Sequence, residues 1–291
     1  MRIAGAPISW GVCEVPGWGH QLAPQRVLTE MAELGITATE LGPQGWLPVA
    51  PAERAAALAP YGLTVVGAFV PVVLHDPGHD PLPEVDRELD AFAATGGQVL
   101  VLSAATGQEG YDERAELDEV GWATLLGNLD RLADRAAARG MQVSLHPHVG
   151  TMVEREEEVR RVLAGSDVPL CLDTGHLLIG GTDPVALARA HAARINHVHV
   201  KDVRLDLARD VQAGRLGYTD AVRQGIYTPL GEGDVDFAAV VAALDAVGFT
   251  GWYVLEQDTV LTAEPPAGDG PVHDVRRSLE YLRSLHPGRV R

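Results

Sequence analysis

The sequence is poor in cysteine, in basic residues and in long apolar runs, and each shortage removes a class of function. Cys13 and Cys171 are the only two thiols in 291 residues. Two cysteines cannot build a disulfide framework, and their spacing forms no zinc knuckle, so a reducing cytoplasm is the expected compartment. Lys and Arg number 23 against 40 Asp and Glu, a formal charge of −17. A field of that sign repels phosphate backbones and anionic lipid, so neither nucleic acid nor membrane is expected as a partner. No run approaches the roughly 20 apolar residues of a membrane span. The opening "MRIAGAPISWG" has no basic region leading into a long apolar one, which predicts no secretory signal. A Gly-x-Gly-x-x-Gly turn is also missing after the first strand-like run, where a dinucleotide would need it.

What the chain does have is an alternation. Short β-branched or apolar runs fall at 3–10, 37–41, 64–70, 99–103, 142–148, 170–173, 195–201 and 252–256. Amphipathic stretches such as "PQRVLTEMAELG", "WATLLGNLDRLADRAAARG" and "DFAAVVAALDAVG" separate them, and "DVRRSLEYLRSL" closes the series. Helices begin at Pro or Asp and stop at Gly, the usual start and stop chemistry. Repeated strand and helix units require parallel strands with right-handed crossovers. Eight such units in this length predict one α/β domain over 1–291, a (β/α)8 TIM barrel. The segment 205–233 after strand seven is too long for a simple connection, and its place on a loop following a strand predicts a lid over the barrel mouth. Outward apolar positions such as Ala239 and Val240 are read as permitting homo-oligomers.

Barrel chemistry sits at the C-terminal ends of strands, so the polar residues that finish each strand carry the functional signal. Strand five ends in "SLHPH", with Ser144, His146 and His148 at alternate positions, and strand six in "CLDTGH", with Asp173 and His176. Strand seven, "INHVHVK", spends alternate positions on His197, His199 and Lys201. Strand eight supplies Glu256 and Asp258, and strand two Glu40. Carboxylates and imidazoles contributed strand by strand suit a divalent metal of intermediate hardness: Mn²⁺ or Co²⁺ first, Zn²⁺ or Mg²⁺ as alternatives. One inward His or Asp alone is equally a satisfied polar core group. Five histidines at three consecutive strand ends are not explained by packing.

The motifs "GAPISWG", "HPHVGT", "LDTGHL", "INHVHVKDVR", "PLGEGDVDF" and "GWYVLEQD" resemble the inosose dehydratase branch of the xylose isomerase-like superfamily. The resemblance covers nearly the whole chain. It implies a metal held by Asp173, His199 and Glu256, with His176 contacting substrate. The usual strand-five Glu of the wider superfamily is His146 here, which points to the dehydratase branch; His146 is taken as the fourth ligand, with His148 as the alternative. The second Glu used by proton-shuttling epimerases is replaced by Met152.

The resemblance further implies that a cyclic polyhydroxy ketone, 2-keto-myo-inositol, loses water through an enediolate that a metal stabilises. His176, Lys201, Glu40 and His148 are the candidate acids and bases. A cyclitol or keto-sugar needs hydrogen-bonding groups and an apolar face. Trp10, Trp46 and Arg204 are the candidate contacts, the tryptophans being open also to a barrel cap or a subunit contact. Rival readings are a keto-sugar isomerase or epimerase on the same scaffold and a silent polyol-binding or partner subunit.

Overall fold

The computed structural model describes residues 1–114 and 116–286. In chain order its elements begin β1 (Arg2–Gly5), α1 (Pro24–Glu33), β2 (Ala38–Leu41), α2 (Pro51–Leu58), β3 (Thr64–Val72) and α3 (Leu82–Thr95). β4 (Val99–Ala104), α4 (Glu119–Ala137), β5 (Gln142–Leu145), α5 (Glu156–Gly165), β6 (Leu170–Asp173), α6 (Thr174–Ile179) and α7 (Pro184–His191) follow. The chain continues through β7 (Ile195–Val200), β8 (Asp202–Val203), α8 (Leu205–Gln212), α9 (Tyr218–Arg223), β9 (Tyr227–Thr228), α10 (Phe237–Asp245), β10 (Trp252–Leu255) and α11 (Pro271–Ser284).

Eight of the strands close a parallel barrel in the order β1, β10, β7, β6, β5, β4, β3, β2, while β8 and β9 form a separate antiparallel ribbon. The punctuation read in the sequence is where the elements turn. Proline sits in the first turn of α1, α2, α7 and α11. The carboxylates of Asp118, Asp183 and Asp236 accept backbone N–H groups at the starts of α4, α7 and α10, satisfying donors that a helix leaves open. The apolar stripe of each outer helix packs on the strands, as with Val27, Leu28 and Met31 of α1 and Leu125, Leu129 and Leu132 of α4, all buried.

Three details differ from the expectation. β1 stops at Gly5 rather than at Trp10, because Pro7 opens a 3-10 turn over Pro7–Trp10. β5 ends at Leu145; Pro147, which has no N–H to donate, leaves His146 and His148 on the loop beyond it. Val240 is buried within the wall and offers nothing to a partner.

The 205–233 insertion carries its own apolar cluster. Ala208, Tyr218, Ala221, Val222, Ile226 and Tyr227 pack with Trp18, Val149 and Ile179, residues that follow β1, β5 and β6 at the C-terminal end of the barrel. Asp202 anchors it. Buried at the base of the ribbon, its carboxylate accepts from the N–H groups of Val203, Gly231, Gly233 and Val235 at 2.7 to 3.1 Å. Gly233 is obligatory there, since an added Cβ would lie 2.3 Å from Asp202 Oδ1. Asp202→Ala strands these donors. Denaturant unfolding should show a loss of about 2–4 kcal/mol, and a variant as stable as the parent would remove Asp202 from this anchoring role.

Candidate active site

Glu40, at a register shift in β2, marks the inner wall of the site. Its Oε1 accepts from His197 Nε2 at 2.6 Å and from His199 Nε2 at 3.0 Å. Burial alone would raise the Glu40 carboxyl, but the charge of His199 and the hydrogen bonds of both imidazoles outweigh it and hold Glu40 below the usual carboxylate range. With Nε2 of His199 committed to Glu40, Nδ1 is left to face the next groups: 3.1 Å to Glu256 Oε2 and 3.5 Å to Asp173 Oδ2. His197 lies fully buried behind it.

Asp173 is shared between helix and site. Its Oδ1 accepts from Gly175 N at 2.9 Å and His176 N at 2.8 Å, capping α6. Its Oδ2 points the other way, 3.2 Å from His146 Nε2. Gly175 permits this close docking, because a Cβ would meet Lys201 Cβ at 2.7 Å and Tyr227 Cε1 at 2.9 Å.

Lys201 is buried among acceptors. Its ammonium lies 2.8 Å from His176 Nε2, 2.9 Å from Asp258 Oδ1 and 3.0 Å from Glu256 Oε2. Burial would lower its pKa, and Asp173, Asp258 and Glu256 reverse that, keeping it well above the usual lysine value. Behind it, the His176 ring stacks on His148 with centroids 3.7 Å apart. His148 Nδ1 donates to the Val149 carbonyl at 2.7 Å, which leaves Nε2 as the acceptor.

These groups floor a cavity of about 410 Å³, within the range of small-molecule sites. Glu40, His146, His148, His199, Lys201 and Glu256 line it. Phe69, Tyr111 and Trp18 supply apolar wall.

Four substrate-contact expectations, for Trp10, Trp46, Arg204 and His176, are corrected. Trp10 is fully buried, and its indole N–H donates to Glu30 at 2.8 Å, so it pins α1 instead of facing the cavity. Trp46 donates to the Leu22 carbonyl and packs over Gly42. Arg204 is exposed and pairs with Asp206, away from the cavity. Asp173 and His176 stand behind the cavity wall. The sequence reading missed Phe69, Tyr111, Tyr218 and Tyr227 and gave Asp258 no role. Only Asp258 had a local signal, two residues past Glu256.

The donor set fits a divalent cation. Asp173, His199 and Glu256 present ligand atoms within 4.8 Å of one another, and so do His146, Asp173 and His176. The separations of 3.1, 3.2 and 3.5 Å match adjacent ligands of an ion with bonds of about 2.1 Å. His199 Nδ1 is buried without a hydrogen bond. Four buried carboxylates, Glu40, Asp173, Glu256 and Asp258, surround only Lys201 and whatever proton His199 carries, an excess of negative charge that a metal would relieve. Cys171 also lies near His146 and His199, and burial pushes its thiol up to about 11.

Buried imidazoles also set the acid response. Burial holds His146, His148, His176 and His197 below the usual histidine value, so each takes up a proton at lower pH in the fold than in the unfolded chain. The unfolded chain takes up protons below about pH 6.5, so stability is lost as pH falls, by up to about 1.4 kcal/mol per unit for each histidine. His199 has the opposite sign. Burial would lower its pKa, but Glu256, Glu40 and Asp173 raise it, and its contribution is lost as pH rises. Chelator-treated protein should therefore have a clearly lower unfolding midpoint at pH 5.5 than at pH 6.5; equal midpoints would contradict the buried neutral imidazoles.

The architecture is that of a (β/α)8 barrel with a buried imidazole and carboxylate site at its C-terminal end. Residues 28–285 match the xylose isomerase-like TIM barrel family, and the chain belongs to it. It is 33% identical to an inosose dehydratase of Geobacillus kaustophilus over 98% of this chain and 94% of that protein. A rhizopine catabolism protein, MocC, of Rhizobium meliloti is 35% identical over 89% and 82% of the two chains. Among solved structures, the IolI protein with a bound zinc atom superposes with a TM-score of 0.71 at 16% identity, covering 98% of each chain. No described helix is long and apolar enough to cross a membrane.

Proposed function

We propose that this protein is a metal-dependent dehydratase that eliminates water from a cyclic polyhydroxy ketone, with 2-keto-myo-inositol (inosose) as substrate. The inosose dehydratases it resembles along nearly their whole length support that choice. The observation that carries the reaction type is where the carboxylates are. A two-carboxylate epimerase needs a second acid beyond strand five, and there Met152 is buried while Glu154 accepts from Gly150 N and pairs with Arg114 outside the cavity. The group that faces the cavity at that point is an imidazole, His148.

His146, Asp173, His199 and Glu256 would hold the metal, Mn²⁺ or Co²⁺ in this reading. Bound there, a divalent ion supplies Lewis-acid polarisation of the ketone. His148 Nε2, unprotonated and turned to the cavity, takes the proton from the carbon next to the ketone. Lys201 Nζ stabilises the negative charge that develops on the substrate oxygens. The proton on His148 Nε2 then passes to the β-hydroxyl, whose C–O bond breaks to release water and leave an enol, which ketonises by moving its hydroxyl proton to the former β-carbon and gives the trihydroxycyclohexanedione. Glu40 orients His199, and His176 supports both His148 and Lys201. Phe69, Tyr111 and Trp18 take the C–H face of the ring. The insertion, in this reading, closes the mouth. The proposed compartment is the cytoplasm, where the free thiols Cys13 and Cys171 remain reduced.

Mass analysis of the product tests the reading. Incubation with 2-keto-myo-inositol and Mn²⁺ should yield a compound lighter by one water. A product of unchanged mass would replace dehydration with isomerisation or epimerisation.

A further inference from the structure

The 205–233 insertion bears on the site itself, because two of its tyrosines contact His176 and Asp258, the groups beside the Lys201 ammonium. Tyr218 of α9 donates to Asp258 Oδ2 at 2.8 Å, and its oxygen is 3.0 Å from the Tyr227 hydroxyl of β9. Tyr227 in turn lies 3.4 Å from His176 Nδ1. Since Lys201 meets both His176 Nε2 and Asp258 Oδ1, five buried side chains form a closed ring: Lys201, His176, Tyr227, Tyr218, Asp258.

Donor chemistry fixes the direction of every bond in it. An ammonium only donates, so His176 Nε2 accepts and Nδ1 carries the proton toward Tyr227. Tyr218 spends its one hydrogen on Asp258, so Tyr227 must donate to Tyr218. Asp258 thus has Oδ2 on Tyr218, while its Oδ1 faces the Lys201 ammonium at 2.9 Å as an ion pair without a hydrogen bond. Lys201 has two other carboxylates in reach, Glu256 at 3.0 Å and Asp173 at 3.5 Å, and both oxygens are ones assigned to the metal.

We infer that Tyr218 and Tyr227 are positioning residues that orient Asp258 and His176 toward the Lys201 ammonium and so limit its competition with the divalent ion for Glu256 and Asp173. The inference rests on the metal-ligand reading above and not on the identity of the substrate. Without Tyr218 nothing orients Asp258 toward the ammonium, and without Tyr227 nothing fixes the acceptor nitrogen of His176 toward it, so the ammonium leans further onto Glu256 and Asp173.

Calorimetric titration of chelator-stripped protein with Mn²⁺ alone tests this. Tyr218→Phe and Tyr227→Phe should each weaken Mn²⁺ binding by roughly tenfold, the scale of one hydrogen bond to a charged group. The same substitutions placed on Lys201→Gln should leave Mn²⁺ affinity within about twofold of Lys201→Gln itself, because the competing cation is gone. Unchanged affinity in the single variants overturns the inference. Equal weakening with and without Lys201 also overturns it, since the tyrosines would then be supporting the fold only. Parent protein that binds no Mn²⁺ would overturn the ligand assignment and this inference together, an outcome distinct from the first two.

Discussion

Asp173→Ala is expected to lose metal and to lower turnover by at least about 10³-fold, while unfolding within about 1 kcal/mol of the parent. The residue's two oxygens explain why these effects separate. Oδ2 converges with His146 Nε2 and His199 Nδ1, so its removal takes out the oxygen common to both sides of the ligand set. Oδ1 caps α6 through Gly175 N and His176 N, and losing such a cap costs about 0.5–2 kcal/mol. Against that cost stands relief: the metal-free site holds more carboxylates than cations, and removing one reduces the repulsion. Asp173→Asn keeps an acceptor for the cap and should keep the stability while still losing most of the metal. A variant that retained full metal content would end the ligand assignment of Asp173.

Lys201→Gln is expected to lower kcat by about 10²–10³-fold, with KM nearly unchanged. The ammonium lies beside Glu256 and lines the cavity, so in the proposed reaction its charge would act where negative charge grows on the substrate. In the proposed reaction, ground-state binding rests on the metal and the apolar wall of Phe69, Tyr111 and Trp18, which the substitution leaves in place. Metal should bind at least as tightly, because the substitution removes a cation a few ångström from the ligand oxygens. Steady-state kinetics with a metal count on the same sample reads both effects. Normal kcat would remove Lys201 from the chemistry.

Much of the fold was legible because barrel periodicity is local. Strand runs, proline starts, aspartate caps and glycine stops each depend on a few neighbouring residues, and they mark β6, α1 and α10 to within a few positions. The alternation in "INHVHVK" likewise places His197, His199 and Lys201 on the inner face, because the side-chain period of a strand is two. What the sequence could not supply was geometry created by distant segments. Trp10 was read onto the cavity, but the 3-10 turn begun by Pro7 swings its indole beneath α1 to Glu30. Tyr218 and Asp258 are 40 positions apart in the chain, and only the folding of the insertion brings hydroxyl and carboxylate together. Phe69, within β3, and Tyr111, on the loop after β4, flank His148 with nothing in their own neighbourhoods to mark them.

The central claim is that a single divalent ion, held by imidazoles and carboxylates at the barrel mouth, makes water elimination from inosose possible. Protein stripped with chelator and assayed on 2-keto-myo-inositol, with bound metal counted per chain as Mn²⁺ or Co²⁺ is returned, tests it most directly. The account predicts that elimination vanishes on stripping and returns in proportion to metal bound, reaching full rate at about one ion per chain. Elimination at the full rate by metal-free protein would contradict it.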